Sequence, residues 1–469
     1  MSRRWVVAGA VGIWLVASAA AAREVWHGGG VMLDAAGSVR TIAAGTGGTT
    51  DRRFRDAIAA TLPSSVCVTA ARFADCPAFD VIGEDDVWQT LTRARADLGV
   101  IGPGGLSARV VYDQEVLLGV LEVLERTFRQ GFETEPFVVL DDDIATFDLG
   151  GDASGRWRHR LYRAFVHWES EHLDATVGRQ RIPWGVGRLW NPIDRLNPIG
   201  PLAIEADESI GIDALDVRWL WSGFSYLEAV YAPQGRSADA DYALRLHGIA
   251  RDVDYSLLAG VFEEARTAGL DLAGNLGGAA ARLEAVFSDP ERDVWPVGAA
   301  RPHELGQFWQ VVTSVDYNVD VGTGLYVLVE HLYNGNGLGF GRGRAGPLLP
   351  FFESTTEVPA GLPAGVAPGL EGPFVRTANA DLFGGSRVVT LSEQLTGLLA
   401  SYEPLTALTT ELLAIHDWEG HSVAVSPIVR WSPLGSLELT LGGQLFAGPR
   451  RSEYGDRDPL GYAIVEWFY

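Results

Sequence analysis

Segments of about ten residues in which apolar and polar side chains alternate recur from residue 25 to the end of the chain. The connections between them alternate between short and long. In residues 92–100, Thr92, Ala94, Ala96, Leu98 and Val100 share one face, while Arg93, Arg95 and Asp97 share the other. Leu106, Ala108, Val110 and Tyr112 stand in the same way against Ser107, Arg109, Asp113 and Glu115. Successive side chains of a strand point to opposite faces, so this period marks strands that separate two unlike environments. Tight turns at Gly102-Pro103-Gly104, Arg251-Asp252, Val319-Asp320 and Ser432-Pro433-Leu434-Gly435 join segments in pairs. Longer stretches such as 45–88, 120–156, 185–212, 289–306 and 334–387 lie between the pairs. Short turns at one end and long loops at the other are the pattern of a membrane barrel. The expected fold is therefore all-β: a transmembrane up-and-down antiparallel β-barrel of about 18 strands, running from segment 25–44 through segments such as 173–184 to 460–469. Sixteen strands is the alternative, because 268–276 and 278–288 are rich in Gly and Ala.

A soluble β-sandwich also alternates, so other features must separate the two. Trp168, Trp219, Trp221, Trp309, Tyr333, Trp418 and Trp431 fall near segment ends, where an interfacial aromatic girdle would lie. The polar face mixes carboxylates with arginine, and the chain contains no lysine at all. Sixty acidic against 37 basic residues give a net charge of −23, which excludes a nucleic-acid partner. A hydrophobic fraction of 47% and a mean hydropathy of +0.07 exclude a disordered acidic chain. After residue 22 no apolar run is long enough for a membrane helix.

Residues 1–22 read as a signal peptide. Arg3 and Arg4 precede the apolar Trp5 to Val16 run, and Ala20 and Ala22 offer an A-x-A cleavage site. Residues 23–469 are then expected to form one barrel domain with long extracellular loops. In an exported chain, Cys67 and Cys76 are expected to close a small disulfide loop. One short helix is expected from Glu115 to Arg129, running from a strand into a loop.

The last strand, Gly461 to Tyr469, resembles the C-terminal signature of bacterial outer-membrane barrels. The resemblance implies that Val465, Trp467 and the terminal aromatic Tyr469 are read by the barrel-assembly machinery. The stretch from Gly178-Arg179-Gln180 through Trp184-Gly185 to Asn191-Pro192-Ile193-Asp194-Arg195-Leu196-Asn197-Pro198 is similar to an element of porin-like outer-membrane proteins, including relatives of alginate-export-type porins. The similarity covers Arg158 to Pro201 and implies a strand ending in GRQ, followed by a loop that folds near the channel. Bacterial outer-membrane location and membrane lipids as surroundings follow from the same resemblance, and a homo-oligomer is compatible with it.

Each Asn-Pro pair starts a turn, which makes the loop stiff. Arg179, Arg181, Arg188 and Arg195 keep their charge, and Asp194, Glu205, Asp207 or lumen carboxylates are their expected partners. Two arrangements remain open: a loop that narrows the pore, and a salt-bridged clasp that closes the extracellular end. Strict alternation puts Arg179 and Arg181 on the lipid side with Val177, unless a bulge at Gly178 resets the register or the pair lies above the apolar band. Elsewhere the inner face gathers Arg93, Arg95, Arg109, Arg163, Arg218, Arg245, Arg282 and Arg430. They stand against a larger set of carboxylates that includes Asp113, Glu115, Asp216, Glu228, Glu284 and Glu330. That excess points to a slight cation preference.

Enzymatic readings find little support. His167 and His172 lie five apart on a strand, hence on opposite faces, and cannot share a metal. A barrel phospholipase would need a serine beside an outward His331 or His416, and no serine stands in such a context. Neither a cofactor nor a metal is expected. The sequence points to a channel for passive or facilitated passage of small polar solutes. The alternative is a loop-plugged barrel with a structural or surface-attachment role, with the Gly- and Pro-rich 338–372 stretch as a second candidate plug.

Overall fold

The computed structural model describes residues 23–46, 87–119, 143–149, 155–197, 200–205, 211–233, 240–262, 265–290, 294–295, 303–304, 307–335, 337, 390, 392–449, 452–455 and 459–469. The expected signal peptide, Cys67 and Cys76, and the 338–372 stretch lie outside these residues. Alternation along the described chain produces eighteen wall strands. The first nine are β1 (Val31–Thr46), β2 (Val87–Ile101), β3 (Leu106–Gly119), β4 (Gly155–Glu169), β5 (Leu173–Gln180), β6 (Ile212–Ser222), β7 (Ser225–Ala232), β8 (Asp241–Ala250) and β9 (Val253–Phe262). The second nine are β10 (Ala265–Leu276), β11 (Ala279–Pro290), β12 (Phe308–Val319), β13 (Leu325–Asn334), β14 (Gln394–Leu405), β15 (Leu408–Asp417), β16 (Ser422–Leu434), β17 (Leu437–Ala447) and β18 (Leu460–Phe468). Each pairs antiparallel with the wall strand before it. β18 returns to β1, from Ser38 opposite Phe468 to Thr46 opposite Leu460, and this closes the ring. The Gly- and Ala-rich region forms two full strands in unbroken register, Ala265 opposite Pro290 to Leu276 opposite Ala279, which settles eighteen over sixteen.

The wall is inverted relative to a soluble protein. Leu98, Val110, Leu215, Leu244, Val315, Val329 and Leu441 are exposed on the outer face, whereas Glu115, Glu228, Glu284 and Glu330 on the inner face are at most 1% exposed. Only a hydrocarbon surround makes such an outer surface stable, and only a closed sheet satisfies every backbone group within it. All seven aromatics expected in a girdle are exposed near strand ends.

Five features depart from strict expectation, and each has a local cause. Segment 25–44 is a hairpin of Arg23–Gly28 with β1, turned at Gly29 and Gly30, which have positive φ. The added strand covers the part of β1 below Gly37, where the backbone of Tyr469 makes its last bonds. Segment 173–184 ends at Gln180, after which the chain turns into the barrel. A strand at Asp143–Leu149 then pairs with Gly155 to Arg160 of β4, above the point where β5 takes over at Ala164, so β4 has a partner on this side except at Leu161 to Arg163. The expected helix is replaced at its start by strand, because Glu115 to Gly119 complete β3; residues 120–129 lie outside the described set. Finally, Tyr162 is an extra residue in β4: Val111 faces Arg163 and Tyr112 faces Leu161. This bulge turns both Tyr162 and Arg163 inward and reverses the faces of the residues before them.

Candidate functional site

β5 stops because Pro183 cannot continue a ladder, and the described residues 181–197 and 200–205 run inward instead. The turn-forming residues expected from sequence hold this segment on itself. The Asn191 amide donates to the Trp184 carbonyl (2.6 Å) and its Oδ1 accepts the Asp194 N–H (3.1 Å). Asp194 Oδ1 accepts the Asn197 N–H (2.8 Å), and Asn197 Oδ1 accepts the Ile182 N–H (3.0 Å). Three short polar side chains at a spacing of three thus replace the bonds a strand would have made. Gly185 has φ +82, and a Cβ there would lie 2.0 Å from Asn191 Oδ1 and 2.6 Å from Glu284 Oε1, so no other residue fits.

The segment is a strap fixed to both sides of the ring. On β11, Glu284 accepts the N–H groups of Val186 (2.5 Å), Gly187 (2.6 Å) and Ile193 (3.2 Å). On β13, Glu330 accepts those of Arg188 (2.9 Å), Leu189 (2.8 Å) and Trp190 (2.7 Å). The Trp184 indole donates to Glu228 of β7 (3.0 Å). Across the barrel, Glu205 accepts from Arg93 of β2 (2.7 Å) and Arg40 of β1 (3.3 Å), and Gln444 of β17 donates to the Leu202 carbonyl (2.6 Å). β2 and β11 are nine strands apart in a ring of eighteen, so the strap crosses a diameter. Its anchors sit in the middle of their strands, which places it within the lumen rather than over the mouth.

Two apolar clusters complete the seating. Ile182, Trp184, Ile193 and Leu196 pack on Val230, Ala243, Leu258, Phe262 and Val286. Leu189 and Trp190 pack on Val312, Leu328, Leu332, Leu395, Leu413 and Ile415. A polar lumen would carry none of these wall residues, so inward apolar positions on β7 to β15 are where the wall was shaped to the strap.

The sequence-expected arginines divide into two groups. Arg93 bonds Glu115 (2.8 Å) and Glu205, Arg95 bonds Asp113 (2.7 Å), and Arg109 bonds Asp97 (2.7 Å). Arg218 bridges Asp216 (2.9 Å) and Glu228 (2.8 Å). The Arg95 and Arg163 guanidiniums lie 3.9 and 4.3 Å from the Tyr162 ring centre. Arg179 and Arg195 also bind partners that the sequence does not point to. Arg179 is buried against Asp213 (2.7 Å) and donates to the Leu161 carbonyl (3.0 Å). The register runs through Gly178 without a bulge, and the neighbouring carboxylate at the strand end compensates the charge. Arg195 binds the neutral Ser288 (2.9 Å) and Gln310 (3.1 Å). Glu205 pairs with wall arginines, not with those of the strap. Arg181 and Arg188 are exposed and make no ion pair within 4 Å among the described residues.

Arg181 borders two cavities. One, of about 430 Å³, is lined by Arg95, Asp97, Arg109, Tyr162, Arg163, Asp174, Asp216 and Arg218. The other, of about 680 Å³, is lined by Arg40, Arg188, Asp194, Glu411, Arg430, Glu438 and Glu466. Sequence reading missed Arg40, Arg158 and Arg160 as wall cations. Strict alternation back from Arg163 points Arg158 and Arg160 outward, but the Tyr162 bulge turns them toward Glu115, at 2.6 and 3.5 Å. Among the described residues no group of His, Cys, Asp and Glu is arranged to hold a metal.

Asp194 is enclosed by the strap, and burial pushes its carboxyl up to about 7 against the pull of the Asn197 N–H. An unfolded aspartate titrates near about 4, so between these values the folded strap binds a proton that the unfolded chain releases. Its contribution to stability is greatest below about pH 4 and falls as pH rises through about 7. Protease cleavage of the strap should therefore speed up between pH 5 and pH 8. Asp194→Asn should flatten that dependence; an unaltered dependence in the variant would contradict the assignment.

A closed ring of eighteen antiparallel strands, apolar outside and charged inside, is an outer-membrane β-barrel of the porin type. Neither protein-family models nor curated protein sequences match this chain. Among solved structures, Acinetobacter baumannii OccAB1 is similar over 93% of this chain and 96% of its own, with 7% identity and a TM-score of 0.50. Acinetobacter baumannii OccAB2 is similar over 93% and 98%, also with 7% identity and a TM-score of 0.50. The outer membrane protein opdK from Pseudomonas aeruginosa aligns over 93% and 98%, with 11% identity and a TM-score of 0.49. At such identities the likeness is one of fold.

Proposed function

We propose that the barrel is an outer-membrane channel for passive or facilitated passage of small polar solutes, and that the strap gives it a preference for anions. One observation carries this reading: Arg181 and Arg188 reach the lumen cavities without an ion pair among the described residues, while the mid-wall carboxylates Glu115, Glu228, Glu284 and Glu330 are buried. Glu115 and Glu228 hold arginines, and Glu284 and Glu330 hold backbone N–H groups. A count of wall carboxylates favours cations, but a solute meets the groups that face water. The proposal takes residues 23–469 as one barrel behind a signal peptide, with a Cys67–Cys76 disulfide and assembly guided by Val465, Trp467 and Tyr469. The likeness of the strap element to alginate-export-type porins belongs to the same proposal and rests on sequence.

Proteoliposome swelling tests it. A small monocarboxylate should enter faster than an ammonium-bearing solute of equal size. Equal rates would remove the anion preference, and no swelling with any solute would favour the plugged barrel.

A further inference from the structure

The outer wall carries a polar row on β12 to β15 that the channel does not use. Thr313 of β12 lies opposite His331 of β13, His331 opposite Thr396 of β14, and Thr396 opposite His416 of β15. All four share the face of the exposed Val315, Val329, Leu398 and Leu412, and the inward neighbours Leu328, Glu330, Leu332, Leu395 and Ile415 are buried. The row therefore faces the bilayer. Its height is set by the girdle residues Trp309, Tyr333 and Trp418, at the ends of the same strands opposite the short turns.

Imidazoles against lipid are costly unless something meets their N–H groups. The Trp418 indole donates to Thr396 Oγ1 (2.7 Å), which leaves the hydroxyl proton of Thr396 able to reach His331 Nδ1, 2.9 Å away. When Nδ1 accepts that proton, the His331 ring carries its own on Nε2. His416 stands edge-on to Trp418, with ring centres 4.8 Å apart. No carboxylate shares this face on β13 to β15 between Val329 and Trp418, and among the described residues neither His331 nor His416 makes an ion pair within 4 Å.

We propose that this row is a headgroup site for a phosphate-bearing lipid of the outer leaflet. The phosphate accepts from His331 and His416, and its apolar part lies on Val329, Leu398 and Leu412. The lipid is favoured over a second barrel because the row faces the bilayer at girdle height, where phosphate groups are always present. Native mass spectrometry of the purified full-length protein with lipid A, and with lipid A stripped of phosphate, tests this. Wild type should retain lipid A about tenfold more tightly than the His331→Leu/His416→Leu variant, a difference of about 1.4 kcal/mol. The two proteins should hold the dephosphorylated lipid equally. Retained heat-modifiable gel mobility shows that the variant is folded, and Thr396→Val, which frees the His331 ring, supplies an intermediate case. Equal retention of lipid A by all forms would overturn the proposal. So would an equal loss of both lipids in the variant, or a change of oligomeric state in place of lipid loss.

Discussion

Replacing Glu284 and Glu330 together by alanine is expected to raise single-channel conductance severalfold while leaving the barrel folded. Each carboxylate accepts three N–H groups from the strap, and hydrogen bonds to a charged acceptor contribute about 1.5–3 kcal/mol each. Removing both leaves six strap N–H groups without their acceptors in the lumen, where water competes for them. The apolar contacts of Trp184 and Trp190 remain, but they tolerate sliding, whereas hydrogen bonds to fixed oxygens do not. The wall ladders at β11 and β13 are backbone bonds and persist, so heat-modifiable mobility should be unaltered. Single replacements should give smaller increases, because the remaining anchor holds half of the strap. Unchanged conductance in the double variant would mean that the strap does not limit flow.

Reversing the charge at Arg181 and Arg188 with glutamate is expected to turn an anion-preferring pore into a cation-preferring one. In water, a unit charge 5 Å from a passing ion is worth about 0.8 kcal/mol, so two charges change the local anion concentration by roughly an order of magnitude. Reversal therefore moves the ratio of anion to cation permeability by more than neutralisation does, and Arg181→Gln with Arg188→Gln should fall between. The measurement is the reversal potential across a salt gradient, read for wild type and both variants. Arg179 supplies the contrast: it is buried against Asp213, and Arg179→Glu should affect folding yield rather than selectivity. A reversal potential of the same sign and size in the double glutamate variant would show that selectivity lies elsewhere on the wall.

How far the sequence could be read follows from the range of the forces involved. Strand pairing is written in a period of two, so all eighteen wall strands were legible, whereas a turn could be misplaced by a few residues: the one read at Ser432 to Gly435 falls at Gly435 and Ser436. The NP.D..NP spacing marked a stiff loop, because Asn191, Asp194 and Asn197 act on backbone only a few residues away. What such a loop binds across a barrel is not local. Nothing in the neighbourhood of Glu284 or Glu330 distinguishes them from other inward carboxylates, and only the ring closure brings them to the strap. The Tyr162 bulge inserts a single residue with no glycine or proline to mark it, so strict alternation does not bring Arg158 and Arg160 to the inner face. The strand Asp143–Leu149 follows from the early exit of β5, itself a consequence of the strap.

The most direct test of a conducting lumen crossed by a cationic strap is planar-bilayer recording of the purified wild-type protein under a salt gradient. The account predicts discrete conductance steps with a reversal potential on the anion side. Absence of steps, or a reversal potential on the cation side, would contradict it.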